Sequence, residues 1–123
     1  MIATQQELFE FIRDNYNNEV LASYTLKIQV PLKDGRTQMV YVGVTENELQ
    51  ATSPFAWQSK VSAEKVFESN TSMFGIVTVN GAYALKHNAF ISDIDKSEIE
   101  DAFVILGAHA DLFERSLGFS DEF

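Results

Sequence analysis

His87 and His109 are the only imidazoles that could serve acid–base or metal chemistry, and they stand twenty-two residues apart. Neither belongs to an H-x-x-x-H or H-x-x-E-H spacing, the arrangement that puts two ligands on one helical face. Asp111 and Glu114 are near His109 in sequence but form no relay with it, so each histidine reads as a partly exposed side chain without catalytic work. The absence of cysteine removes thiol catalysis and thiolate metal sites. No serine sits in a G-x-S-x-G context, and the six glycines are scattered with neither G-x-G-x-x-G nor G-x-x-x-x-G-K-[ST] among them. Asp93, Asp95, Glu98, Glu100 and Asp101 invite a calcium or magnesium reading, because hard cations take several oxygen ligands. Their spacing departs from D-x-[DN]-x-[DN]-G, and a helix start favours carboxylates for its own sake. The expectation is a chain with no catalytic residue, no metal and no cofactor.

Charge narrows the partners. Of 18 acidic and 9 basic side chains, nine acids and two bases fall between Asp93 and Phe123, so most of the net charge of -9 is in the last quarter. Nucleic acid and anionic membrane surfaces are poor partners, since both need a basic surface. A basic protein partner, or plain solubility through an acidic face, stays open. No apolar run approaches the roughly 20 residues that span a bilayer, and MIATQQELFEFIRDN lacks a basic leader region, so a cytoplasmic chain is expected.

The elements that must position these residues can be read in order. Thr4-Gln5-Gln6-Glu7 is a capping box, and Leu8, Phe9, Phe11, Ile12 and Tyr16 give the helix after it one apolar face, ended by the cluster from Asn15 to Asn18. Tyr24, Leu26, Ile28 and Val30 alternate with polar residues as a half-buried strand does. Asp34-Gly35 joins it to a second strand from about Thr37 to Val44, with Val40, Val42 and Val44 on one side and Met39 and Tyr41 on the other. A polar interval from Thr45 to Gln50 precedes a third strand around Phe55, Trp57 and Ser59, which Pro54 marks as an edge or a strand start. Ser62 caps a short helix through Phe67 that stops near 69–72 and serves as a crossover. Phe74–Val79 and Ala82–Lys86 flank Asn80-Gly81, the strongest short-range hairpin signal. Asp95 to Glu98 then caps a helix from about Lys96 to Leu117, roughly 33 Å long at 1.5 Å per residue, with Gly118 as its left-handed stop. On it Ile99, Phe103, Leu106, Ala110, Phe113 and Leu117 are spaced 4, 3, 4, 3, 4. A second row, Ile105, Ala108 and Leu112, lies beside the first; one row can cover a sheet and the other can meet a second chain.

The length of 123 residues bounds this to one domain with one core. The class is α+β: helix, three strands, helix, two strands, long C-terminal helix, with helices packed on a mostly antiparallel sheet. Phe9, Phe11, Phe67, Phe74, Phe90, Phe103 and Phe113 read as core. Trp57 divides between core and an interface anchor on an edge strand. Phe119 and Phe123, in the acidic tail G-F-S-D-E-F, tuck back onto the helix end and receive no function.

The stretch V-F-E-S-N-T-S-M-F-G-I-V-T-V-N-G-A-Y-A-L-K-H-N-A-F-I-S-D-I-D-K-S-E-I-E-D-A-F, 66–103, followed by A-D-L-F-E, 110–114, resembles the YbjN-type family and the wider type III secretion chaperone-like fold. The matching positions are Asn70, Gly75, Asp95, Ala110, Asp111 and Glu114. The resemblance implies a small, acidic, often dimeric bacterial protein that binds other polypeptides and has no enzymatic site. The function expected is a noncatalytic protein-binding module, chaperone-like or regulatory and homodimeric. Its interface candidates are Tyr41, Phe55, Trp57, Leu106 and Phe113. The alternatives are a ligand binder or enzyme with a pocket between sheet and last helix, using His109, Tyr41 or Tyr83, and an acidic subunit docked on a basic partner.

Overall fold

The computed structural model describes residues 4–32, 35–68, 74–120 and 122–123, apart from the side chain of Asp93. Helix α1 (Gln5–Asn15) opens as the capping box predicts, with Thr4 Oγ1 accepting from the Glu7 amide at 3.1 Å. The asparagine cluster ends it by donating to backbone carbonyls: Asn15 Nδ2 reaches Phe11 O, and Asn18 Nδ2 reaches Arg13 O in the last turn and Tyr16 O.

That cluster also begins a strand that the polar pattern hides. Strand β1 (Asn17–Ala22) pairs antiparallel with β2 (Thr25–Pro31), so four strands precede the second helix where three were expected. As the outermost strand, β1 has little to bury and shows no apolar alternation. The turn between them holds Tyr24 at φ 56, a left-handed conformation unusual for a large side chain. Its ring meets Phe9 edge-on at 5.4 Å and its hydroxyl donates to Gln6 Oε1 at 2.9 Å.

Strand β3 (Thr37–Val44) follows β2 as a hairpin, with Gly35 at φ 80; Asp34 lies outside the described residues. Strand β4 (Glu48–Trp57) begins inside the expected polar interval, after a turn in which the Thr45 amide donates to Glu48 O and Glu48 N to Thr45 Oγ1. It is not an edge strand. β4 lies between β3 and β6 (Ala82–Phe90), and the chain accommodates Pro54 at a register shift between Pro54 and Ala56, the bulge position where a missing amide is tolerated.

Helix α2 (Ala63–Glu68) starts at Ser62, whose Oγ accepts from the Lys65 amide, and carries the chain to edge strand β5 (Gly75–Val79); its expected end near 69–72 lies outside the described residues. Strands β5 and β6 form the expected hairpin, with Asn80 and Gly81 at φ 50 and 82. The antiparallel sheet has the order β1-β2-β3-β4-β6-β5. Helix α3 (Lys96–Ser116) starts with Asp95 accepting from Glu98 N and Ser97 Oγ, which holds that carboxyl below the usual aspartate range. It stops at Gly118, φ 84.

One core joins α1 and α3 to one face of the sheet. Leu8 and Ile12 meet Leu26, Ile28, Val40, Val42, Leu49 and Phe55, with Ile99, Phe103, Leu106 and Ala110 from α3. Burial between Tyr16 and Phe103, whose rings pack edge-on at 5.4 Å, pushes the Tyr16 hydroxyl up to about 12, with Glu100 adding to the effect. Gly107 faces β3 at the closest part of this packing, where a Cβ would stand 3.4 Å from the buried Gln38 side chain, at the edge of ordinary contact. Phe67 and Phe90 are exposed at 59% and 62%, contrary to their expected core role. α2 buries only Val66, and Phe90, paired with Glu48 and flanked by core-packed Ala89 and Ile91, alternates to the side of the strand away from the core. No helix among the described residues is long and apolar enough to cross a membrane.

Candidate functional site

The residues singled out from the sequence separate into core and surface. Phe55 and Leu106 are fully enclosed and Phe113 nearly so, and the rings of Phe55 and Phe113 pack edge-on at 5.3 Å. These three hold α3 to the sheet, so the interface expectation does not fit them. Tyr41 is half-buried on the sheet face turned away from α1 and α3, and Trp57 retains 36% of its surface at the end of β4.

The pairing registers build that second face as rows. Glu19, Lys27, Tyr41, Thr52 and Lys86 come side by side across five strands, with Lys27 Nζ 3.1 Å from Glu19 Oε2. Gln29 and Met39 make the next row. All but exposed Glu19 are half-buried, in contrast with the enclosed Leu26, Ile28, Val40 and Val42 on the helix-bearing face. Tyr41 and Met39 are the aromatic and apolar members of these rows, set among polar and charged side chains, and a partly open sheet face of this kind can receive an extended or helical segment.

The tail shapes the rim of this face. Glu122 N donates to the enclosed Glu114 Oε2 at 2.9 Å, and Lys60 Nζ reaches Glu122 Oε1 at 2.7 Å. Met39 N donates to Phe123 O at 2.8 Å, and the rings of Phe123 and Trp57 lie 4.9 Å apart. Phe119 packs against the core, whereas Phe123 is carried beyond the helix end expected for it, to Trp57 and the backbone of β3.

A second surface runs along the outside of α3. Ile105 and Leu112 are 47% and 59% exposed, Val104 is 40% exposed, and Ala108 lies among them. Between this face and Leu32 is a groove of about 430 Å³, whose lining includes Ala108, His109, Leu112 and Arg115. Its floor is Asp111, which is only 4% exposed; Oδ1 accepts from Arg36 Nε and Nη2 at 3.2 and 2.5 Å, and Oδ2 is 2.7 Å from Arg115 Nη2. Asp111 thus ties the β2–β3 connection to α3, a use that its place in the A-D-L-F-E run does not reveal.

The histidines meet through an intermediary. Phe74 lies edge-on to both, 5.7 Å from the His87 ring and 5.4 Å from the His109 ring. Twenty-two residues of separation conceal this, because only the β5–β6 hairpin and α3 bring them to one ring. His109 Nδ1 has no hydrogen-bond partner among the described residues. Of the polar groups considered for a pocket between sheet and last helix, Tyr83 is in the core, Tyr41 is on the opposite sheet face, and His109 lines the outer groove. The space between α3 and the sheet is filled by Phe55, Phe103, Leu106 and Phe113.

Among the described residues no group of three or more histidine, aspartate or glutamate side chains is placed to hold a metal ion. Asp95 is engaged as a helix cap. Asn70, one of the positions carrying the family resemblance, lies outside the described residues. No protein-family model matches the chain, and no curated protein matches it in sequence.

Proposed function

We propose that this protein is a noncatalytic protein-binding module, chaperone-like or regulatory, that acts as a homodimer and receives an extended or helical segment of a partner on the open face of its sheet. The observation that carries this is the row of half-buried side chains around Met39 and Tyr41, with Trp57 at its rim. Aromatic side chains of this kind anchor protein interfaces because they bury a large area with few rotors to freeze. Kinship with the YbjN-type and secretion chaperone-like proteins is part of this proposal and rests on the resemblance of residues 66–103 and 110–114; the four strands before α2 depart from the three that the resemblance implies.

The test is retention of polypeptides from lysate on the immobilised chain at low and high salt, with the Trp57→Ala and Tyr41→Ala variants alongside. One dominant polypeptide retained at high salt, and weakened several-fold by either substitution without a change in circular dichroism, is the expected result. Retention by the wild type that neither substitution weakens, or no retention at all, overturns it.

A second reading has its own support. Glu98, Glu100 and Asp101 are all exposed over the first turns of α3, a concentration of charge suited to a basic partner. Such binding weakens steeply as salt rises, so the same experiment separates the two.

A further inference from the structure

We propose that the outer face of α3 docks a second copy of this chain, the two helices lying antiparallel about a two-fold axis at Ala108. This deepens the homodimer reading above and rests on it. Asp101, Ile105, Ala108, Leu112 and Arg115 follow one another at intervals of 4, 3, 4 and 3, the spacing of a helix–helix seam. All five are exposed, on the side of α3 away from Phe103, Leu106 and Ala110. The seam is apolar in the middle and ends in opposite charges.

Charge decides the occupant. Asp101 and Arg115 each stand seven residues from Ala108, about 10.5 Å along the axis at 1.5 Å per residue. An antiparallel copy centred on Ala108 sets Asp101 of each helix opposite Arg115 of the other, twice over. A parallel copy sets like charge on like. This self-complementarity is what an isologous two-fold interface requires. Along the same seam Val104 and Ile105 face Leu112, and the small side chain of Ala108 lets the axes approach at the crossing. Antiparallel helix dipoles also oppose favourably. Arg115 is steadied on its own helix by Asp111 Oδ2 at 2.7 Å while its side chain remains 47% exposed. A guanidinium has donors for more than one carboxylate. A single helix pair is a small interface, so the dimer is weak and depends on protein concentration.

The chain contains no cysteine, so Ala108→Cys introduces a single reporter on the axis. Sedimentation of the full chain across micromolar concentrations is expected to show a monomer–dimer equilibrium. Mild oxidation is expected to cross-link Ala108→Cys through a disulfide, with the two thiols losing two electrons and two protons to added diamide. Glu98→Cys stays uncross-linked, because antiparallel helices hold those positions about 30 Å apart. Leu112→Asp and Asp101→Arg should each weaken dimerisation at least tenfold, while circular dichroism and melting of the dilute monomer stay unchanged. A dimer that persists in Leu112→Asp and fails to cross-link at position 108 overturns this interface but leaves the homodimer standing. A wild-type chain that remains monomeric throughout overturns both, including when a basic amphipathic peptide binds the face instead. Partner capture by the sheet is read separately through Trp57→Ala.

Discussion

Two apolar rows run along α3 at the same heptad-like spacing, and they have opposite fates. Ile99, Phe103, Leu106 and Ala110 are fully buried, whereas Ile105 and Leu112 leave about half their surface in water. Apolar character alone does not separate them. The inner row carries the aromatic side chains and lies beside Gly107, which faces the buried Gln38 on β3. The outer row is bordered by Asp101 and Arg115. A helix meets a sheet along one side only, so a second row is left for another molecule or for water.

Substitution on the two rows is the most direct way to break this comparison. Phe103→Ala should cost about 3–5 kcal/mol of folding stability, the usual loss for a large buried side chain and the cavity left behind. Ile105→Ala in the dilute monomer should stay within about 0.5 kcal/mol. Chemical denaturation measures both, and similar losses would erase the distinction between the rows.

A smaller effect sharpens what fixes the helix in its rotation. Asp111 is enclosed on α3 and takes hydrogen bonds from Arg36 on the far side of the β2–β3 connection. Asp111→Ala should cost about 2 kcal/mol, less than breaking a fully buried pair because the guanidiniums of Arg36 and Arg115 reach water. Amide exchange in β2 and β3 near the loop should speed up more than in β5. Equal acceleration in both places would mean that the pair serves global stability rather than this local tie.

The smallest effect separates the helix from its packing. The Asp95 carboxyl lies below the usual aspartate range, chiefly through the backbone hydrogen bond from Glu98 and then the bond from Ser97. Its contribution is therefore fully present above that range and is lost as pH falls through the depressed value. Protection of the first α3 amides should decline in acid, and Asp95→Asn, which can still cap but does not titrate, should flatten that decline at this site. Tyr16 behaves in the opposite sense at high pH. Its hydroxyl is raised to about 12 by burial, so the stability it contributes is present below the ordinary tyrosine value and falls as pH rises toward 12. Tyrosinate absorbance should show a component titrating near 12, which Tyr16→Phe removes.

Most of the architecture was legible because its signals are local. The capping box at Thr4, the Asn80-Gly81 turn, the cap at Asp95 and the stop at Gly118 each act through a few bonds within a few residues, and each is where the pattern placed it. Strand β1 carries no such local signal, because an edge strand needs pairing partners rather than a buried face. In β4, Pro54 signals an edge or a strand start, and the bulge that admits it to a central strand is a property of pairing with β6. The candidate surfaces were less legible. Phe55, Leu106 and Phe113 have the residue types of an interface anchor, and those types serve a core equally well.

The sequence by itself determined the element types, the turns, the helix caps and the two apolar rows on the last helix, because backbone propensity, capping and periodicity act over neighbouring residues. Only the tertiary structure decided which row meets the sheet, which sheet face stays open, and how the tail brings Phe123 to Trp57. It also brings His87 and His109 to the one ring of Phe74 and joins Arg36 to Asp111 across seventy-five residues. These outcomes depend on strand order and on the rotation of a helix over a sheet, which are set by packing between segments distant in the chain.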